Sequence, residues 1–210
     1  MIYQDRGGAG RALGGVLRHL RAADPLVLGL PRGGVPVAAA VRDAIGGDLD
    51  VLLVRKLGVP WQPELAMGAI GEDGVRVLND DVLRHTGVTP EQVAAIEGLE
   101  RIELERRRQV LRAASPALPL KDRIAVIVDD GMATGATVAA ACEIARLHEP
   151  RRVVVAVPVS SAEALHRIRA LADEVICPLV PRFLGGVGGA YRDFHQLTDE
   201  EVVDLLSESR

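Results

Sequence analysis

The sequence predicts an α/β fold, a mainly parallel central sheet with helices on both faces. Three observations carry this. Short runs rich in Val, Ile and Leu recur along the chain, stretches of helical period separate them, and the runs are apolar at nearly every position. Strands spaced by helices build βαβ units, and continuously apolar strands suit a sheet covered on both sides. A length of 210 residues, 48% of them hydrophobic and 26% charged, fits one globular unit with a sizeable core.

The elements follow in order. Residues 26–30 (Leu-Val-Leu-Gly-Leu) read as a buried strand ended by Pro31, with a helix over 35–45. Asp50 to Val54 is a second strand and Ile124 to Val128 a third, followed by a glycine-containing loop and a helix from about Thr137 to His148. Val153 to Val157 is a fourth strand, 161–172 a helix, and Glu174 to Cys177 a short fifth strand. Two stretches break the alternation. Residues 57–79 hold Gly58, Pro60, Pro63, Gly68, Gly71 and Gly74 with little regular period, which predicts a long functional or mobile loop. Residues 90–113 read as one long helix with Glu97→Arg101 and Glu103→Arg107 pairs at i,i+4. Arg106, Arg107 and Arg108 there read as a solvated face paired with neighbouring glutamates.

Composition excludes several classes. With 25 Lys+Arg against 29 Asp+Glu the net charge is −4, against a nucleic-acid module that neutralises phosphates. One Trp, two Tyr and two Phe are too few for a base-stacking platform along a single strand. The apolar run Val153 to Val159 is far shorter than the roughly 20 residues that span a bilayer. Asp5, Arg6 and Arg11 stand where a secretory leader would be apolar. Cys142 and Cys177 show no CxxC spacing, and the five histidines form no metal-ligand pattern. The expectation is a cytoplasmic protein with no membrane or nucleic-acid partner.

In open α/β sheets ligands sit beyond the carboxyl ends of the strands, and three strand-ending loops carry unusual residues. In Val128-Asp-Asp-Gly-Met-Ala-Thr-Gly-Ala-Thr137 two carboxylates, Asp129 and Asp130, end a buried strand. Small residues then lead into a helix, so main-chain amides at Ala133, Thr134, Gly135, Ala136 and Thr137 can converge on an anion at the helix N-terminus. Carboxylates facing that anion would oppose it, so they must face hydroxyls or a cation. A ribose 5-phosphate meets both requirements. The loop has neither the Gly-Lys-Ser/Thr of a P-loop nor a GxGxxG.

This segment resembles the phosphoribosyl-pyrophosphate motif of type I phosphoribosyltransferases, closest to its form in the adenine enzymes. The resemblance implies Asp129 and Asp130 on the ribose hydroxyls and Ala133 to Thr137 on the 5′-phosphate. In Leu30-Pro-Arg-Gly-Gly-Val35 the Arg32 fork suits phosphate oxygens and Gly33-Gly34 allow close backbone approach. The loop is similar to the family's pyrophosphate loop. Arg55 and Lys56 in Val54-Arg-Lys-Leu-Gly58 are costly at a strand end unless an anion is expected. By the same likeness they face pyrophosphate, and 57–79 closes over the site.

The resemblance covers about residues 26–160. It implies one domain over 1–210, with a core of about 26–178, the flexible loop 57–79 and a small C-terminal hood over 179–210. It further implies a transfer of phosphoribose to a nucleobase or related nitrogen heterocycle, with Mg²⁺ held through the substrate, in a possible homodimer. Glu64 and Glu72 are the acid–base candidates, and Trp61, Phe183, Tyr191 and Phe194 the base-stacking candidates. Ala133 stands where 6-oxopurine enzymes carry an aspartate, which argues against their chemistry. Two other readings stay open: a sensor of phosphoribosyl pyrophosphate or nucleotides without turnover, and a hydrolase on the same scaffold.

Overall fold

A computed structural model describes residues 2–208; Met1 and the last two residues of the expected 179–210 hood lie outside them. The elements run α1 (Arg6–Val16), β1 (Leu26–Gly29), α2 (Gly34–Ile45), β2 (Asp48–Val51), β3 (Val54–Val59), β4 (Gln62–Gly71) and β5 (Arg76–Leu78). They continue with α3 (Asp80–Thr86), α4 (Pro90–Ala114), β6 (Ile124–Val128), α5 (Ala136–Leu147), β7 (Arg152–Ala156), α6 (Ala162–Ile168), β8 (Glu174–Ile176) and α7 (Asp199–Glu208). Five strands form a parallel sheet in the order β2-β1-β6-β7-β8.

The continuous apolar runs do cover two cores. Alternate side chains of one strand point to opposite faces. Val27, Val126, Val128 and Val154 join one buried cluster with α2, while Leu28, Ala125, Ile127 and Val155 join another with α5. The long helix forms as expected, opened by Thr89 and Gln92 bonded reciprocally across its first turn with Pro90 at its start. Arg106, Arg107 and Arg108 do pair with Glu103 and Glu105.

Two expectations fail. The apolar run 50–54 belongs to two strands: β2 ends at Val51, and β3 starts at Val54 in a different sheet. Hydrophobicity alone does not say which sheet a strand joins. Residues 57–79 are not irregular either. They lie in an antiparallel sheet of order β3-β4-β5, with bulges around Gly58. Gly58 and Gly68 are sites of close backbone approach within the sheet: a Cβ on Gly58 would meet the carbonyl of Pro63, and one on Gly68 that of Val77, each at 2.5 Å. Within 2–208 no helix is long and apolar enough to cross a membrane.

After β8 the chain runs with little regular structure through the glycine-rich stretch and returns to the core. A single parallel bridge joins Tyr3 to Tyr191, and α7 then packs against α4 and α2.

Candidate active site

Parallel pairing brings the ends of β1 and β6 side by side, so the loops following them meet. Leu30 N–H donates to the Val128 carbonyl at 2.9 Å. A Cβ on Gly33 would overlap the Asp130 carboxylate, and one on Gly34 would overlap the Val128 carbonyl. The two glycines therefore serve first to let the Arg-Gly-Gly loop pack against the aspartate pair. The peptide bond between Pro31 and Arg32 is cis.

Beyond Asp130 the chain is clamped from behind. Met132 exchanges backbone bonds with Val159 and Ser161, the Ser161 hydroxyl donates to the Ala133 carbonyl at 2.7 Å, and Arg167 donates to the Thr134 carbonyl at 3.1 Å. Gly135 takes a left-handed conformation (φ 74°), which glycine adopts without strain, and starts α5. The carbonyls of the loop are thus used by the protein. Its amides are not: among the described residues those of Ala133, Thr134, Gly135 and Thr137 have no protein acceptor, and that of Ala136 has only the Thr134 hydroxyl at 3.3 Å. Free amides at the positive end of a twelve-residue helix form an anion seat.

The carboxylates have partners of their own. Asp129 accepts from the Asp130 amide at 2.9 Å, and burial with the neighbouring Asp130 charge pushes its carboxyl well above the usual range. Burial raises Asp130 as well, opposed by a bond from Arg6. Arg6 Nε lies 2.9 Å from Asp130 Oδ2, and Tyr191 donates its hydroxyl to the Asp130 carbonyl. Tyr191 stacks on Phe194 at 5.0 Å, and the Arg6 guanidinium sits 3.9 Å from the Phe194 ring centre. The segment expected to form a hood is therefore pinned to the aspartate pair.

Each cation expected at the site has a carboxylate partner: Arg32 with Asp199 at 3.6 Å, Arg55 with Glu100 at 2.5 Å, and Lys56 with Glu64 at 3.1 Å. The three do not share one cavity. Arg32 lines a space of about 360 Å³ with Arg6, Arg107 and Asp130, whereas Arg55 and Lys56 line one of about 230 Å³ beside Thr137.

Similarity to known proteins agrees with this geometry. A family model described as "Phosphoribosyl transferase domain" matches residues 6–192. The chain belongs to this phosphoribosyl transferase family. It is 53% identical over 205 residues to the Mycobacterium tuberculosis protein named "Putative phosphoribosyl transferase Rv0571c", covering 98% of this chain and 46% of that one. The chain thus spans about half the length of the curated relatives it matches. The crystal structure of TT1426 from Thermus thermophilus superposes with a TM-score of 0.93 at 44% identity, over 100% of this chain and 99% of that one. A hypoxanthine-guanine phosphoribosyltransferase from Bacillus anthracis shares the fold alone, with a TM-score of 0.51 at 11% identity over 87% and 83% of the two chains.

The remaining candidates of this phosphoribosyl transferase chain fall in different places. Glu64 lies on β4 and accepts from Lys56 at 3.1 Å, and that bond holds its carboxyl below the usual range. Glu72 is not at the site: it accepts two bonds from Arg112, which also binds the buried Asp50, at the far end of β4. Trp61 is 57% exposed at the β3–β4 turn. Phe183 is 88% exposed beside a hood cavity of about 490 Å³ lined by Leu179, Pro181 and Gly185. Tyr191 and Phe194 are outside that cavity. Arg6, Tyr3 and Asp199 are the contacts that sequence reasoning missed. No helix was expected over 6–16, so no local signal marked Arg6 as a site residue.

Proposed function

We propose that the chain transfers phosphoribose from phosphoribosyl pyrophosphate to a nitrogen heterocycle and releases pyrophosphate. The observation that carries this reading is the set of amides from Ala133 to Thr137 left without backbone partners beside the Asp129–Asp130 carboxylate pair. The amides take the 5′-phosphate, and Asp129 and Asp130 take the ribose 2′ and 3′ hydroxyls. Arg32 lies on the Asp130 side and stabilises the charge that grows on the departing pyrophosphate. Arg55 and Lys56 lie on the Thr137 side, so they flank the 5′-phosphate and reach pyrophosphate only if β3 and β4 shift over the site.

The two carboxylates and the donor's own oxygens form an all-oxygen set that fits Mg²⁺. That ion, when bound, neutralises the leaving pyrophosphate. The protein's own contribution is orientation of the sugar and exclusion of competing water. The base stacks on Phe183 in the hood cavity. Glu64, next to the phosphate loop, is the acid–base candidate that the geometry leaves; Glu72 is held by Arg112.

The test is pyrophosphate release from phosphoribosyl pyrophosphate and Mg²⁺ with a panel of bases. Release that depends on one base is the expected result. Base-independent release identifies a hydrolase, and donor binding without release identifies a sensor.

A further inference from the structure

Helix α4 carries three consecutive arginines, and the middle one differs from its neighbours. The Arg107 side chain is 20% exposed, against 47% for Arg106 and 42% for Arg108. Its Nε donates to Glu103 at 2.8 Å, one turn back along the helix. Its Nη1 reaches 76 positions away, to the Pro31 carbonyl at 3.3 Å in the loop after β1. Its Nη2 has no acceptor among the described residues, and the side chain lines the cavity of about 360 Å³ that also holds Arg32 and Asp130.

The ion pairs behind this cavity do not balance. Arg107 shares Glu103 with Arg106, and Arg106 shares Asp199 with Arg32. The result is an alternating row, Arg107–Glu103–Arg106–Asp199–Arg32, with three cations on two acids. Both ends of the row line the same cavity. Arg32 stands 3.6 Å from its acid, beyond hydrogen-bond range. Asp130, the one acid among the described lining residues, is already bonded to Arg6. Partly desolvated cations in surplus are costly unless an anion completes them. We propose, on the phosphoribosyl reading above, that Arg107 is a second pyrophosphate-binding residue, which with Arg32 clamps the two phosphoryl groups of the leaving anion. Each guanidinium offers a planar fork of donors to phosphoryl oxygens. The bond to the Pro31 carbonyl ties Arg107 to the loop that carries Arg32, so the two ends of the clamp rest on one element.

The experiment measures calorimetric affinity for phosphoribosyl pyrophosphate with Mg²⁺, and for ribose 5-phosphate, in wild type, Arg107→Gln and Arg108→Gln. Ribose 5-phosphate lacks the pyrophosphate and so reads the rest of the site. Arg108 pairs with Glu105 and does not line the cavity, so its replacement removes the same charge from the same helix. Arg107→Gln should weaken donor binding about tenfold or more and leave ribose 5-phosphate within about twofold. Arg108→Gln should leave both within about twofold.

A donor loss under about threefold in Arg107→Gln overturns the inference. So does an equal loss of ribose 5-phosphate, which makes Arg107 a prop for the Pro31 loop, or an equal donor loss in Arg108→Gln, which makes the effect one of general charge. Should Arg107→Gln not fold, Arg107→Lys decides in its place. Lysine keeps the charge without the fork, so a donor-selective loss of about threefold or more is expected and a smaller one overturns the inference. A wild-type chain that binds neither ligand overturns the phosphoribosyl reading and this inference together. Wild-type binding that Arg107→Gln leaves unchanged overturns this inference alone.

Discussion

The two halves of the proposed anion site are built in opposite ways. The loop Ala133–Thr137 uses main-chain amides, anchored from behind through its carbonyls and left without partners in front. Arg32, Arg55 and Lys56 are flexible cations, and each lies against a carboxylate of the protein. An amide seat needs no neutralising partner, because its partial charges are fixed and cannot collapse onto a neighbour. A row of cationic side chains repels itself, so acids hold it until a stronger anion arrives. On the proposed reading the 5′-phosphate half is thus formed in advance, and the pyrophosphate half must exchange ion pairs.

Three substitutions sharpen this contrast. The largest effect is expected from Gly135→Val, which places a β-branched residue at φ 74° and misaims the seat. Strain of about 1–3 kcal/mol at such a position, with lost amide bonds, should weaken donor binding about 100-fold or more. Calorimetry checks it, and near-normal affinity would show that the amides do not hold the phosphate. Next, Glu72→Ala leaves Arg112 in a buried network with Asp50 alone. It should cost about 2–4 kcal/mol in denaturant unfolding, with donor affinity within twofold of wild type. A specific loss of turnover with stability intact would restore Glu72 to the site. The smallest effect is that of Glu64→Gln, which releases Lys56 from a pair whose acid is 66% exposed. Stability should move by less than about 0.5 kcal/mol. Donor affinity should rise about two- to threefold as a competitor for Lys56 is removed, and a fall in turnover despite tighter binding marks Glu64 as the acid–base group.

Where the chain is locally determined, its sequence is easily read. Ile124 to Val128 is apolar at every position because it faces a core on each side, and Thr89-Pro90 starts α4 through contacts within one turn. The loop proposed to seat the phosphate is legible for the same reason: one short segment supplies all of its amides. Residues 57–79 misled because Gly58 and Gly68 look like loop residues but serve close approach between strands, which no local pattern announces. Glu72 and Glu64 look alike as loop acids, yet one meets Arg112 on α4 and the other meets Lys56 on β3.

The sequence alone determined the parallel α/β core and marked the loop proposed to seat a sugar phosphate, since apolar periodicity and a strand–loop–helix turn are properties of neighbouring residues. Only the tertiary structure decided that Arg6 reaches Asp130 across 124 positions, that Asp199 on the last helix meets Arg32, and that the expected cations occupy two cavities. Such pairings are chosen by how distant elements pack, and charge at long separation leaves no period along the chain.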